Sequence, residues 1–356
     1  MRRAGLLGAM AAVCLAASAA PAAGQQITYH QLPEGTEPSY IVTGPDGALW
    51  FTERGAGRIG RLSVDGELRE FGLPRPGSRP RMITAGNGAI YYTDPLAGQI
   101  GRLELDGRVK ESTVQNCPRS ACGLRLPDDL TVAPDGQVWF SVDTLFATGA
   151  APEDSFHDVC SLDPRLEAGQ CTKIDSVFIP SGHATAGPIV GPDGAMWFTN
   201  KWLDIVGRIP ASGPREVRKF PLGSESDPEE IVAGPDGALW FTEPNRSRIS
   251  RITTAGARTR YFLPRADSRP TSITAGPDGA VWFTESGEKG NAIGRIDTRG
   301  TITEYPLRDP DSRALGITTG SDGAMWFAEP RTARIGRLAL SPRPAPLGGG
   351  VPPGRG

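Results

Sequence analysis

Apolar and polar positions along this chain alternate in runs of four to seven residues, with Gly, Pro and Asp between the runs. Short period-two runs bounded by turn formers predict strands, and no window carries apolar residues at i, i+3, i+4 and i+7 through several helical turns. One run keeps returning. Gly44-Pro45-Asp46-Gly47-Ala48-Leu49-Trp50-Phe51-Thr52-Glu53 has six further copies, whose second glycines are Gly88, Gly136, Gly194, Gly237, Gly279 and Gly323. The intervals from Gly47 onward are 41, 48, 58, 43, 42 and 44 residues. A period of about 40 to 50 residues suits a four-stranded propeller blade.

The sixth unit shows the order of strands. Ser272 to Ala275 is predicted as an inner strand, Pro277-Asp278-Gly279 as a turn, Ala280 to Thr284 as a second strand, Ala292 to Ile296 as a third and Thr301 to Leu307 as the outermost. A proline is tolerated in that last strand because an edge has fewer ladder bonds to lose. The seventh unit stops after Arg334-Ile335-Gly336-Arg337-Leu338, and Ile27 to Pro33 has the character of the missing outer strand. The expectation is an all-β, seven-bladed propeller of four-stranded blades, its last blade closed by the N-terminal strand and no end blade left open to aggregate.

Composition bounds the rest. Met1-Arg2-Arg3, an apolar stretch from Ala4 to Ala20 and small residues around Ala20 to Gly24 have the form of a secretory signal peptide. Residues 1–24 are therefore expected to be removed, 25–341 to form the propeller, and the Pro- and Gly-rich 342–356 to be a disordered tail. No segment has the uninterrupted apolar length of a membrane span. The expected location is secreted or periplasmic, as a monomer. Lys plus Arg number 38 and Asp plus Glu 40, evenly mixed, so nothing marks a nucleic-acid partner and a small molecule or an extracellular partner is expected instead. Apart from Cys14, the cysteines are Cys117, Cys122, Cys160 and Cys171, an even set in an exported chain. Local disulfides, Cys117 with Cys122 and Cys160 with Cys171, are expected; zinc is the competing reading, though paired C-x2-C knuckles are lacking.

The recurring tract, a following Ile-Gly-Arg-Ile/Leu (Ile59 to Leu62, Ile100 to Leu103, Ile293 to Ile296, Ile335 to Leu338) and a closing Phe71-Gly72-Leu73-Pro74 together resemble the virginiamycin B (streptogramin B) lyase family. The resemblance covers nearly all of the expected mature chain. It implies a scaffold whose members open a macrocyclic lactone by eliminating across a C–O bond with Mg²⁺, using histidines that follow the proline opening the inner strand of the sixth and seventh repeats. Here those slots read Pro270-Thr271 and Ala314-Leu315. Neither Thr nor Leu can act as a general base near neutral pH, so the resemblance implies the family's scaffold without its histidine pair.

In a propeller, the residues leading into the inner strands and those leaving the second strands ring one channel mouth. The inner-strand ring reads Ser39, Arg81, Asp128, Ala186, Glu229, Thr271 and Leu315; the second-strand ring reads Glu53, Asp94, Asp143, Asn200, Glu243, Glu285 and Glu329. A carboxylate that recurs in nearly every unit points to a per-blade role, such as pairing with the Arg of Ile-Gly-Arg, rather than to a metal ring. Arg81 and Asp128 read either as ligand-binding residues or as an ion pair between neighbouring blades. Of Glu229 and Glu230, one is expected to be merely solvated. The third unit departs most from the repeat, with an inserted loop from about Thr144 to Asp158 that carries His157; the fourth brings His183 and Lys201-Trp202. The sharpest expectation is a site over blades three to five. It would use Arg81, Asp128, Trp202 and Glu229 for ligand, His183, His157 and Glu229 as catalytic candidates, and Asp128 and Glu229 as candidates for Mg²⁺. Against it stands the reading that His157 and His183 are ordinary loop residues and that Trp202 packs the insertion down.

Overall fold

The computed structural model describes residues 12–14, 18–19, 27–114, 124–145, 156–166, 176–178, 185–212, 216–288 and 290–340. Seven antiparallel sheets stand in a ring, each with four sequential strands of the propeller. Blade one is Pro38–Thr43, Leu49–Glu53, Arg58–Leu62 and Leu68–Gly72, from the channel outward. The inner strands of the other blades are Ile83–Gly86, Leu124–Val132, Thr185–Val190, Ile231–Ala233, Pro270–Ala275 and Ile317–Thr319. Each touches the next, and the seventh touches the first, so the ring is closed. Ile27–Gln31 pairs antiparallel with Arg334–Leu338 and completes blade seven, as expected. Two short segments, Ala12–Cys14 and Ser18–Ala19, lie parallel to the outer strands Arg258–Phe262 and Ile302–Pro306. Among the described residues no helix is long and apolar enough to cross a membrane.

The repeated tract builds each blade by local chemistry. In blade one the Gly44 N–H donates to Ala48 O at 2.8 Å, and Gly47 takes φ +75°, which closes the turn. Asp46 then accepts two side-chain bonds: Trp50 Nε1–H at 2.9 Å and Arg61 Nε–H at 2.6 Å. The Arg61 guanidinium lies 5.8 Å from the Trp50 ring centroid, and the indole also stacks with Phe71 at 5.3 Å. Asp193, Asp236, Asp278 and Asp322 repeat the same two bonds to their own Trp and Arg. The glycine of Ile-Gly-Arg is also explained, since a Cβ on Gly60 would stand 2.3 Å from the Phe51 ring crossing above it.

This overturns one expectation. The Arg of Ile-Gly-Arg belongs to the turn Asp, and the second-strand carboxylates pair instead with the Arg that opens the third strand: Arg58 with Glu53, Arg248 with Glu243, and Arg334 with Glu329. Side chains alternate across a strand, so Arg61 and Arg58 point to opposite faces of the sheet. His30 fills the outer-strand ring slot, stacking on Trp326 at 5.4 Å. It stands opposite Ile335, as Tyr305 stands opposite Ile293.

Successive blades are latched by the Thr of Trp-Phe-Thr. Thr52 Oγ1 accepts from Tyr40 N–H at 3.1 Å and donates to Arg81 O of the next blade at 2.9 Å. Thr93 does the same between Met82 and Asp128, and Thr242 between Glu230 and Thr271. Each latch holds the backbone at or beside the start of the regular part of the next inner strand, as at Arg81, Asp128 and Thr271.

Candidate ligand-binding face

The inner strands do not enter the ladder smoothly. Register shifts fall at residues 39–40, 128–129, 187–188 and 271–272, in each case one or two residues before the regular strand. A bulge leaves a residue unpaired and re-aims its side chain, which is how an all-β wall presents chemistry to a channel.

Two carboxyls sit in that wall. Asp129 accepts from Leu130 N–H at 2.8 Å and from Gly187 N–H of the next blade at 2.6 Å, and a Cβ on Gly187 would lie 2.5 Å from its carboxyl. Glu230 accepts from Ser272 Oγ–H at 2.7 Å and Ile273 N–H at 3.1 Å. Burial raises both, with a neighbouring carboxylate adding to it: Asp129 to about 6, beside Asp128, and Glu230 to about 8, beside Asp129. Burial and then Glu230 also raise the Tyr40 hydroxyl. Glu230 is thus no solvated bystander, because its bonds cross the blade boundary to Ser272 and Ile273.

Arg81 and Asp128 form an ion pair between blades two and three. Burial works against the Arg81 charge, but Asp128, Tyr40 and Asp129 together outweigh it and hold the guanidinium protonated. Farther round the mouth, a cleft of about 220 Å³ is lined by Lys201, Trp202, Asp227, Glu229, Asn245 and Arg269. Residues leaving second strands (Lys201, Asn245) and residues leading into inner strands (Glu229, Arg269) meet here, so the two predicted rings do share a face. Burial raises Glu229, opposed by the charges of Lys201, Arg81 and Arg269. Trp202 is 50% exposed at the rim, with Lys201 Nζ 6.0 Å from its ring. A wider cleft of about 510 Å³ lies between blades seven and one, where Gln31 already spends its amide on Thr332 O and Ala333 O.

The structure thus brings together Trp202 and Glu229, with the Arg81–Asp128 pair on the same wall. His183 lies outside the described residues. The backbone of His157 is in the strand Phe156–Leu162, paired with Asp143, because the second and third strands of blade three extend beyond the usual five residues; the expected loop starting at Thr144 is corrected to a longer ladder followed by residues 146–155, which lie outside the described set. Thr271 Oγ1 bonds Thr284 Oγ1 at 3.1 Å, and Leu315 donates its N–H to Ala328 O at 3.0 Å. Sequence reasoning missed Asp129, Asn245 and Arg269. The bulge had no signal in a single chain, but the doublets Asp128-Asp129 and Glu229-Glu230 at equivalent places were available. Of the cysteines expected to form disulfides, Cys160 is fully buried in blade three, while Cys117, Cys122 and Cys171 lie outside the described residues.

The second-strand carboxylates form no metal ring either. Glu53, Glu243 and Glu329 are buried against their arginines, and among the described residues no three of His, Cys, Asp and Glu gather as a metal site. Asp128 faces Arg81, and Glu229 faces Lys201, Arg81 and Arg269. A donor set so compensated does not fit Mg²⁺, which takes oxygen ligands at near-octahedral positions.

Fold and site together define a seven-bladed propeller with a polar cleft at one channel mouth. Residues 16–158 and 167–343 match the virginiamycin B lyase family, and the chain belongs to that family. Among solved structures it is similar to a streptogramin B lyase, with 31% identity over 89% of this chain and 98% of that one and a TM-score of 0.71. It is also similar to virginiamycin B lyase from Staphylococcus aureus, with 29% identity, 89% and 100% coverage and a TM-score of 0.71. A catalytically inactive His-to-Ala form of the Staphylococcus aureus enzyme with quinupristin is 28% identical over the same shares, also at TM-score 0.71. No curated protein gave a significant match.

Proposed function

We propose that this protein binds a small molecule at the cleft over blades four to six, on the scaffold of the virginiamycin B lyase family, without the histidine-based elimination that the resemblance implies. The observation that carries this reading is the cleft, where Lys201, Glu229 and Arg269 converge beside an exposed tryptophan while Thr271 and Leu315 occupy the slots expected for histidine. Thr271 is bonded to Thr284, and Leu315 has no titratable group. Incubation with quinupristin, followed by mass spectrometry for a linear product, tests it. The expected outcome is binding or no interaction without turnover; turnover at an enzyme-like rate overturns the reading.

One observation favours a second reading, a lyase or lactone-opening enzyme acting on a cyclic ester. Glu230 and Asp129 are held in the wall by hydrogen bonds across blade boundaries, and burial raises them to about 8 and about 6, into the range where carboxyls serve as general acid or base. In that case Glu230→Gln abolishes turnover and Thr271→Ala does not. The same reading places the chain outside the cytoplasm after loss of residues 1–24, as a monomer of residues 25–341 with a tail at 342–356, and pairs Cys160 with Cys171 and Cys117 with Cys122. Peptide mapping of the exported protein without reductant checks these assignments.

A further inference from the structure

Four formal charges of both signs line the cleft at the mouth: Lys201, Arg269, Glu229 and Asp227. Neither cation has a carboxylate within 4.0 Å among the described residues, although elsewhere on this protein arginines repeatedly stand in contact with carboxylates, as Arg61 does with Asp46 at 2.6 Å and Arg334 with Glu329 at 2.6 Å. Among the described residues the Glu229 side chain makes no hydrogen bond, and the charges of Lys201, Arg81 and Arg269 act on it across space. Asp227, the other carboxylate of the cleft, is engaged by Asn245 Nδ2–H at 2.7 Å.

Backbone geometry keeps these groups apart. Glu229 is held because its carbonyl accepts from Thr199 Oγ1 of the preceding blade and its N–H donates to Thr242 O at 2.9 Å. Arg269 stands at φ +48°, and its carbonyl accepts from Ser286 N–H at 3.2 Å. Lys201 follows immediately after Asn200, whose Oδ1 accepts from Leu203 N–H at 3.0 Å and rounds off the loop. Separate blades therefore fix a carboxylate and two cations around one space. Held charges that do not collapse onto one another suit a ligand bearing both complementary charges. The exposed Trp202 ring adds a flat apolar surface at the rim, where a partner ring can stack or an ammonium can lie on its face.

We propose that the cleft takes a zwitterionic amino acid with an aromatic side chain, its carboxylate meeting Lys201 and Arg269, its ammonium meeting Glu229 and its ring lying on Trp202. This rests on the reading that the mouth binds a small molecule, and names the chemical class. No bond is made or broken.

Calorimetric titration with L-phenylalanine, 3-phenylpropionate and phenethylamine separates the contributions, because the last two each lack one charge. L-Phenylalanine is expected to bind about tenfold or more tightly than either, since each charged hydrogen-bonded contact is worth about a factor of ten or more. Lys201→Ala is expected to weaken L-phenylalanine and 3-phenylpropionate alike and leave phenethylamine unchanged. Glu229→Gln is expected to weaken L-phenylalanine and phenethylamine and leave 3-phenylpropionate unchanged. Both variants alter rim or half-exposed side chains, and their melting curves confirm folding. Binding of 3-phenylpropionate or phenethylamine as tightly as L-phenylalanine overturns the zwitterion while leaving a small-molecule cleft in place. Absence of binding by all three overturns the zwitterion proposal, whereas the reading of a propeller without lyase turnover is decided separately, by the linear product in the quinupristin incubation.

Discussion

Blade six lacks the arginine that its siblings use. Where Glu53, Glu243 and Glu329 have Arg58, Arg248 and Arg334, the wholly buried Glu285 stands opposite Ala292; among the described residues no arginine contacts its oxygens, and only Ser268 and the more distant Arg265 act to lower its pKa. Burial, and then the charge of Glu304 on the outer strand, raise it from 4.5 to about 8. A carboxyl raised on folding contributes stability that is fully present below its unfolded value and is lost as pH rises through the folded one. Between pH 4.5 and pH 8 the cost to the fold grows by about 1.4 kcal/mol per pH unit, toward roughly 3–5 kcal/mol for this group. Glu285→Gln removes that cost and keeps the shape. The variant is expected to match the native protein near pH 4.5 and to exceed it by about 3–5 kcal/mol at pH 9, read by urea unfolding at pH 5, 7 and 9. Ala292→Arg is expected to flatten the same profile, by supplying the cation that the other blades carry. If the stability difference between pH 5 and pH 9 is the same in the native protein and in Glu285→Gln, Glu285 is not an isolated buried carboxyl and the reasoning fails.

Other consequences follow from the repeated bonds. Asp236→Ala leaves Trp240 Nε1–H and Arg251 without their acceptor and is expected to cost about 2–3 kcal/mol in urea unfolding, with the Trp240 environment altered in near-ultraviolet dichroism. Thr242→Val keeps the side-chain shape but breaks the latch from blade five to Thr271 O, for an expected loss of about 1–3 kcal/mol; an unchanged midpoint would deny the latch its role. Burial and then Arg337 lower the pKa of His30, so the stability that it contributes is present above pH 6.5 and is lost as pH falls through its folded value. His30→Phe is expected to keep the stack on Trp326 and to remove this part of the acid sensitivity, measured by thermal unfolding between pH 7.5 and pH 5.

Much of the fold was legible because each blade is made by contacts close in sequence. The turn glycine, the Asp that binds Trp four residues on, and the Phe that requires a glycine across the ladder all lie within one repeat. The site was legible only in part. Trp202 and Glu229 were visible as departures from the repeat, since neither serves the scaffold in the other copies. Asp129, Glu230 and Arg269 were not, because their character depends on which strand lies across the blade boundary. Glu230 was indistinguishable from Glu229 until its partners Ser272 and Ile273, more than forty residues away, were in place.

The chain alone determined the number of blades, the strand order and the closure by Ile27–Gln31, because hydrophobic alternation and turn chemistry act over a few residues. Tertiary structure decided which carboxylates are satisfied, which are perturbed and which face a cleft. Glu53 and Glu285 occupy the same place in the same repeated motif, yet one is paired with Arg58 and the other stands opposite Ala292 with no arginine in contact among the described residues. The physical reason is that desolvation and Coulomb interactions depend on everything within a few ångströms in space, and neighbouring blades supply most of it.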